Sequence, residues 1–225
     1  QFDQVARVAA VGALLVGLLG AELFAVSLRP AMLLLVLIAG AAWVWMAMNN
    51  ARVARQLGMV SDMIEHDPGA AEAMLAHLIK RVPLERSVRL LLHHRLARLR
   101  QRQMRYAEAA AIAQTVLSYP LRVLQPVRGT LLLILADTNL RMGNLAAAWQ
   151  AIAQLHQQPI NLVERLQLLT VQTEYEVTVG ADEAALGHVA ERVRLAELLP
   201  AAQCGLIHDM LAVAATRQQR TALAD

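Results

Sequence analysis

Residues 94–120 read HRLARLRQRQMRYAEAAAIAQTVLSYP, and residues 133–159 read LILADTNLRMGNLAAAWQAIAQLHQQP. Laid over each other with a shift of 39, Leu96 falls on Leu135, Ala97 on Ala136, Tyr106 on Leu145, Ala109 on Ala148 and Pro120 on Pro159. A period in this range, with small residues inside each copy and a proline closing it, marks an α-helical solenoid. Each unit of such a fold is a helical hairpin that completes its core only against its neighbours.

The prolines pace the chain in both directions. Pro83, Pro120, Pro159 and Pro200 are separated by 37, 39 and 41 residues, and each closes an apolar-periodic helix. Breaks inside the hairpins fall near Asp67-Pro68-Gly69, Gln103-Met104-Arg105, Met142-Gly143-Asn144 and Val179-Gly180-Ala181. Four hairpins result, over about 52–82, 86–119, 124–158 and 161–198, with a further helix starting at 201–218. No stretch alternates with period two, so the fold class is all-α. The last helix carries no polar cap, so that end is expected to continue or to be covered by another subunit.

Within the hairpins, RYAEAAAIAQTVLSYP and GNLAAAWQAIAQLHQQP resemble the second half of a tetratricopeptide repeat. In that family a glycine and a large residue open the second helix, a small residue packs it on the first helix, and a proline closes the unit. The matching positions are Tyr106, Ala109 and Pro120, then Gly143, Leu145, Ala148 and Pro159, with Ala97 and Ala136 as the small residues of the first helices. Weaker copies carry Gly180 and Ala185, and the run Pro68 to Ala73. The chain departs from the pattern in its longer period, in Met104 where the glycine would stand, and in prolines one place early. The resemblance implies a tetratricopeptide-like α-solenoid over 51–225, with a concave face for a peptide or partner helix.

The opening of the chain reads differently. Of its 225 residues 57% are hydrophobic, and the apolar excess is concentrated near the N-terminus. Residues 8–28 carry one charge, Glu22, and a second apolar run covers 31–48 after Arg29-Pro30. At 1.5 Å per residue these would be helices of about 31 and 27 Å, each close to a hydrocarbon core of about 30 Å. Residues 1–50 are therefore expected to form a two-helix transmembrane anchor. Ala9, Ala13, Gly17, Ala21 and Ala25 make a small-residue seam on the first span, open either to the second span or to a foreign helix. Glu22 either pairs structurally with Arg29 or handles protons or substrate. Trp43 and Trp45 suit an interfacial belt, and the bias of basic residues predicts a cytoplasmic repeat domain. Two spans followed by cytoplasmic repeats resemble bacterial membrane-anchored tetratricopeptide proteins, including accessory proteins of heme biosynthesis. That resemblance implies an inner-membrane location.

Chemistry is harder to find. The seven histidines include no HExxH, and adjacent His93 and His94 point about 100° apart on a helix. No GxGxxG, GxxxxGK[ST] or GxSxG occurs, and the single cysteine, Cys204, has no basic neighbour to activate it. No catalytic residue, metal ligand or cofactor is implied. One charged feature stands out: nine basic residues and one acid, Glu85, between Lys80 and Arg105, in a chain whose net charge is +3. Arg95, Arg98, Arg102 and Arg105 recur at three and four, as along one helix face. This stripe reads as a solvated face, or as a surface for anionic lipid heads or an acidic partner. Nucleic acid is disfavoured, because interleaved aromatics are missing. The expected function is a non-catalytic, membrane-anchored scaffold or adaptor that assembles or stabilises a complex with other subunits, integral membrane proteins among them. The alternatives are a membrane enzyme or transporter subunit working through Glu22, and a lipid or nucleic-acid binder working through the stripe.

Overall fold

Ala- and Leu-rich segments separated by prolines and glycines form helices throughout the described residues, and no strand occurs among them. The computed structural model describes residues 30–80, 85–119 and 125–222. Its helices are α1 (Pro30–His66), α2 (Pro68–Lys80), α3 (Arg86–Arg102), α4 (Tyr106–Leu117), α5 (Gln125–Arg141), α6 (Leu145–His156), α7 (Leu162–Val179), α8 (Asp182–Leu186), α9 (Val189–Ala196) and α10 (Ala201–Ala222). Two compact units divide the chain, Gln1–Asn49 and Asn50–Asp225.

Local chemistry sets the breaks. Pro68 opens α2 at the position where a missing N–H is harmless, and the Asp67 side chain accepts from the Ala70 amide at 3.0 Å. Three later turns share one hydrogen-bond scheme. The Arg105 amide donates to the Arg100 carbonyl at 2.9 Å, that of Asn144 to Asn139 at 2.8 Å, and that of Ala181 to Glu176 at 2.8 Å. The residue before each donor is left-handed: Met104 (φ 58°), Gly143 (φ 75°) and Gly180 (φ 76°). This is the six-to-one bond of a Schellman ending, and glycine is its natural occupant. At the next entry, Asn161 and Glu164 close a reciprocal capping box on α7.

The core of the second unit is a row of four clusters. In the first, Val53, Val60 and Ile64 of α1 meet Leu75 and Leu78 of α2 and Leu92 and Leu99 of α3. In the second, Ala97 of α3 and Ala109 and Ala113 of α4 meet Leu131 and Ile134 of α5. The third joins Ala136 of α5, Ala148 and Ile152 of α6, and Leu168 of α7. The fourth joins Val177, Ala185 and Ala196 to Ile207, Leu211 and Ala214 of α10. Three of the clusters thus span one hairpin and the first helix of the next. In the fourth, the helix expected to complete the 161–198 hairpin is split into α8 and α9. This all-helical, sequential packing fits an α-solenoid.

The predicted membrane anchor is corrected. Among the described residues no helix is long and apolar enough to cross a membrane. The second expected span, 31–48, lies in α1, which runs on without interruption through Asn49, Asn50, Arg52 and Arg55 to His66. The half of the run before that polar section is built largely of Gly, Ala and Trp, which contribute little hydrophobicity. The first expected span, with Ala9, Ala13, Gly17, Ala21, Glu22 and Ala25, lies outside the described residues. The two-span inner-membrane location, and the cytoplasmic orientation drawn from it, are withdrawn.

Candidate functional site

The first helices of successive hairpins stand side by side, α3 against α5 and α5 against α7, with α7 against α10 beyond. Residues from these helices and from α1 line a groove of about 600 Å³. Glu65, Arg98, Gln101, Arg102, Thr130, Asp137, Arg141, Gln167, Thr170 and Gln203 give it polar character. Met104, Tyr106, Leu133, Ile134, Val171 and Leu206 give it apolar character. A second depression, of about 410 Å³, shares Arg98, Thr130 and Gln167 and reaches Asn161, Leu162, Val163 and Glu164 at the start of α7. Gly129 lets the buried Glu164 carboxylate press on α5, since a Cβ at that position would lie 2.5 Å from Glu164 Oε1.

Charges on this face pair from one hairpin to the next. Arg98 Nη2 lies 2.5 Å from Glu65 Oε1. Gln101 Nε2 donates to Asp137 Oδ2 at 2.6 Å. Arg141 Nη1 lies 2.6 Å from Glu174 Oε1, and its Nη2 donates to Oε2 at 2.9 Å. The partners are 33 to 36 residues apart, close to one repeat, which is the separation that makes residues neighbours in a stack. Burial raises the Glu174 carboxyl pKa despite the opposing pull of Arg141.

The arginine stripe is redistributed by the same geometry. Helix α3 ends at Arg102, so Arg105 falls in the turn and pairs with Glu108 at 2.5 Å. Arg98 faces Glu65, while Arg102 keeps a side chain 58% exposed and 3.9 Å from Glu65. Arg95 is half-buried, and burial and then Arg98 lower its pKa against the opposing pull of Asp62. Nearby, Arg100 Nη1 and Gln103 Nε2 both donate to Glu72, at 2.6 and 2.8 Å, and these bonds lower the Glu72 pKa. The carboxylates that answer the stripe come from α1, α2 and α4. For those of α1 and α2 the signal in the sequence was opposite charge at about one repeat spacing, and for Glu108 it was opposite charge three residues from Arg105.

The repeat-packing positions are placed plainly. Ala97, Ala109, Ala136 and Ala148 are fully buried, Gly143 is left-handed, and Tyr106 is half-buried on the groove. Met104, which the sequence marks as standing where the repeat would have glycine, is 74% exposed and left-handed, like the glycines of two later turns. One feature was not legible in the sequence. His94, 5% exposed, has no hydrogen-bond partner at either ring nitrogen. Burial, and then Arg95 and Arg98, push its pKa down to about 4.

Among the described residues no group of three His, Cys, Asp or Glu side chains is placed to hold a metal ion. Cys204 is a half-buried free thiol beside the α10 cluster. The chain matches no protein-family model, no curated protein and no solved structure. The tetratricopeptide resemblance therefore rests on the residues of this chain alone.

Proposed function

We propose that the unit from Asn50 onward is a tetratricopeptide-like α-solenoid scaffold that binds protein partners and supports assembly of a complex, with no catalytic chemistry of its own. The observation that carries this reading is the groove across α1, α3, α5, α7 and α10. It runs across five helices, and the side chains it presents are amides, hydroxyls, apolar groups and one exposed guanidinium, Arg102. Such a lining suits the main chain and side chains of another protein, where hydrogen bonds orient and apolar contacts hold. It suits a polyanion poorly, because neutralising a row of phosphates takes a row of free cations. Here Arg98 and Arg141 already face Glu65 and Glu174.

The test is affinity purification of the full chain, followed by reconstitution with each purified candidate partner. Thr130→Arg and Thr170→Arg would fill the groove from half-buried positions outside the core clusters. We expect both to abolish a partner interaction with helix content unchanged. Thr170→Arg should also keep the melting temperature, whereas Thr130→Arg gives up a 3.3 Å bond to Glu164 and should lower it slightly. A partner whose affinity is untouched by either substitution does not use the groove, and the reading fails.

A further inference from the structure

We propose that Met104 is a partner-contacting residue of the groove, selected to receive a segment of another protein that carries a large apolar side chain beside a carboxylate. The inference rests on the scaffold reading above and names the chemistry of its partner. Three turns in this chain have the same hydrogen bonds and the same left-handed residue, and in two of them that residue is glycine. A side chain at such a position is strained, because Cβ crowds the following carbonyl. Met104 is the one non-glycine residue with positive φ among the described residues.

Nothing in the fold accounts for that choice. Met104 is 74% exposed and belongs to none of the core clusters, so packing does not offset its strain. It stands outside the helices, so helix propensity does not favour it. Strain retained where folding gains nothing points to a function. Met104 lines the same groove as Tyr106 and Leu206, the latter 41% exposed. A thioether with three rotatable bonds adapts to apolar partners of varied shape.

The partner's charge follows from the neighbours. Arg105 is engaged by Glu108 at 2.5 Å, and Arg98 by Glu65 at 2.5 Å. Arg102, 58% exposed and 3.9 Å from Glu65, keeps the most room for an incoming carboxylate. One available guanidinium near Glu65, in a groove that Asp137 also lines, favours a single negative charge and disfavours a polyphosphate.

The experiment selects a random-peptide display library on the full chain and titrates the winners by calorimetry. Wild type, Met104→Gly, Met104→Asn, Arg102→Gln and Thr130→Arg are compared. We expect peptides with an apolar residue next to Asp or Glu, and a loss of roughly tenfold or more in affinity for both Met104 variants. The same two variants should melt at or above the wild-type temperature, since Gly and Asn both tolerate the left-handed backbone. Arg102→Gln should weaken acidic peptides and leave their Asn or Gln versions unchanged. Peptides that Thr130→Arg displaces but both Met104 variants retain would overturn the inference and leave the groove reading standing. Peptides indifferent to all four substitutions, or no enrichment at all, would overturn both.

Discussion

His94→Leu isolates one buried group whose electrostatics can be worked through. The imidazole sits on α3 with 5% exposure and no hydrogen-bond partner at either nitrogen. Burial, then the positive charges of Arg95 and Arg98, hold its pKa at about 4, against 6.5 for an ordinary histidine. The native state therefore binds this proton less readily than the unfolded chain. The associated stability is fully present above pH 6.5 and is lost as pH falls from there towards 4. Below both values the loss reaches about 3 kcal/mol, at 1.36 kcal/mol per pH unit of difference. Between pH 7 and pH 5 it amounts to about 2 kcal/mol. Leucine is close in volume and has nothing to titrate or to leave unpaired, so at pH 7 the variant should match wild type or exceed it by about 1 kcal/mol. Urea unfolding of both proteins at pH 7 and pH 5 checks this. All other titrating groups are common to the two chains and cancel in the difference. The stability gap should widen by about 2 kcal/mol at pH 5 in favour of the variant. An equal gap at both values would refute the picture of a buried, unpaired imidazole.

Further outcomes follow from packing and pairing. Ala109→Leu and Ala148→Leu should each cost about 1–3 kcal/mol in chemical denaturation, because both positions are fully buried between two helices of a hairpin. Gly129→Ala should cost about 1–3 kcal/mol by driving Glu164 out of its capping box, and a Gly129→Ala, Glu164→Ala double variant should show non-additive losses. Arg192→Leu should cost about 3–5 kcal/mol, since it strands the Glu176 carboxylate that lies 2.7 Å from Arg192 at 9% side-chain exposure; a loss below 1 kcal/mol would show that the pair contributes little. Gly143→Met should cost about 1 kcal/mol by placing a Cβ at φ 75°, measured as a lowered melting midpoint.

Much of the helical course can be followed from local signals. Proline spacing, Pro68 after Asp67, and Gly143 and Gly180 after their helices mark endings that depend on a few adjacent residues. The observed turns at 103–105, 142–144 and 180–181 lie where those residues stand. The alanines of the repeat recur at a fixed shift because one structural unit recurs, and each is buried against the paired helix. Hydropathy averaged over a stretch misled at the N-terminus. The apolar run 31–48 says nothing about the polar length of the same helix that follows it, and α1 continues to His66.

Sequence alone determined that the described residues form helical hairpins with small residues at their seams, since helix periodicity and turn chemistry are properties of neighbours along the chain. The tertiary structure alone decided which charges remain available. The stripe from Arg95 to Arg105 reads as one basic face until Glu65, Glu72 and Glu108 arrive from other helices, and Coulomb pairing at 2.5–2.6 Å depends on distance through space. It also decided that His94 is buried without a partner, because burial is set by the packing of whole hairpins.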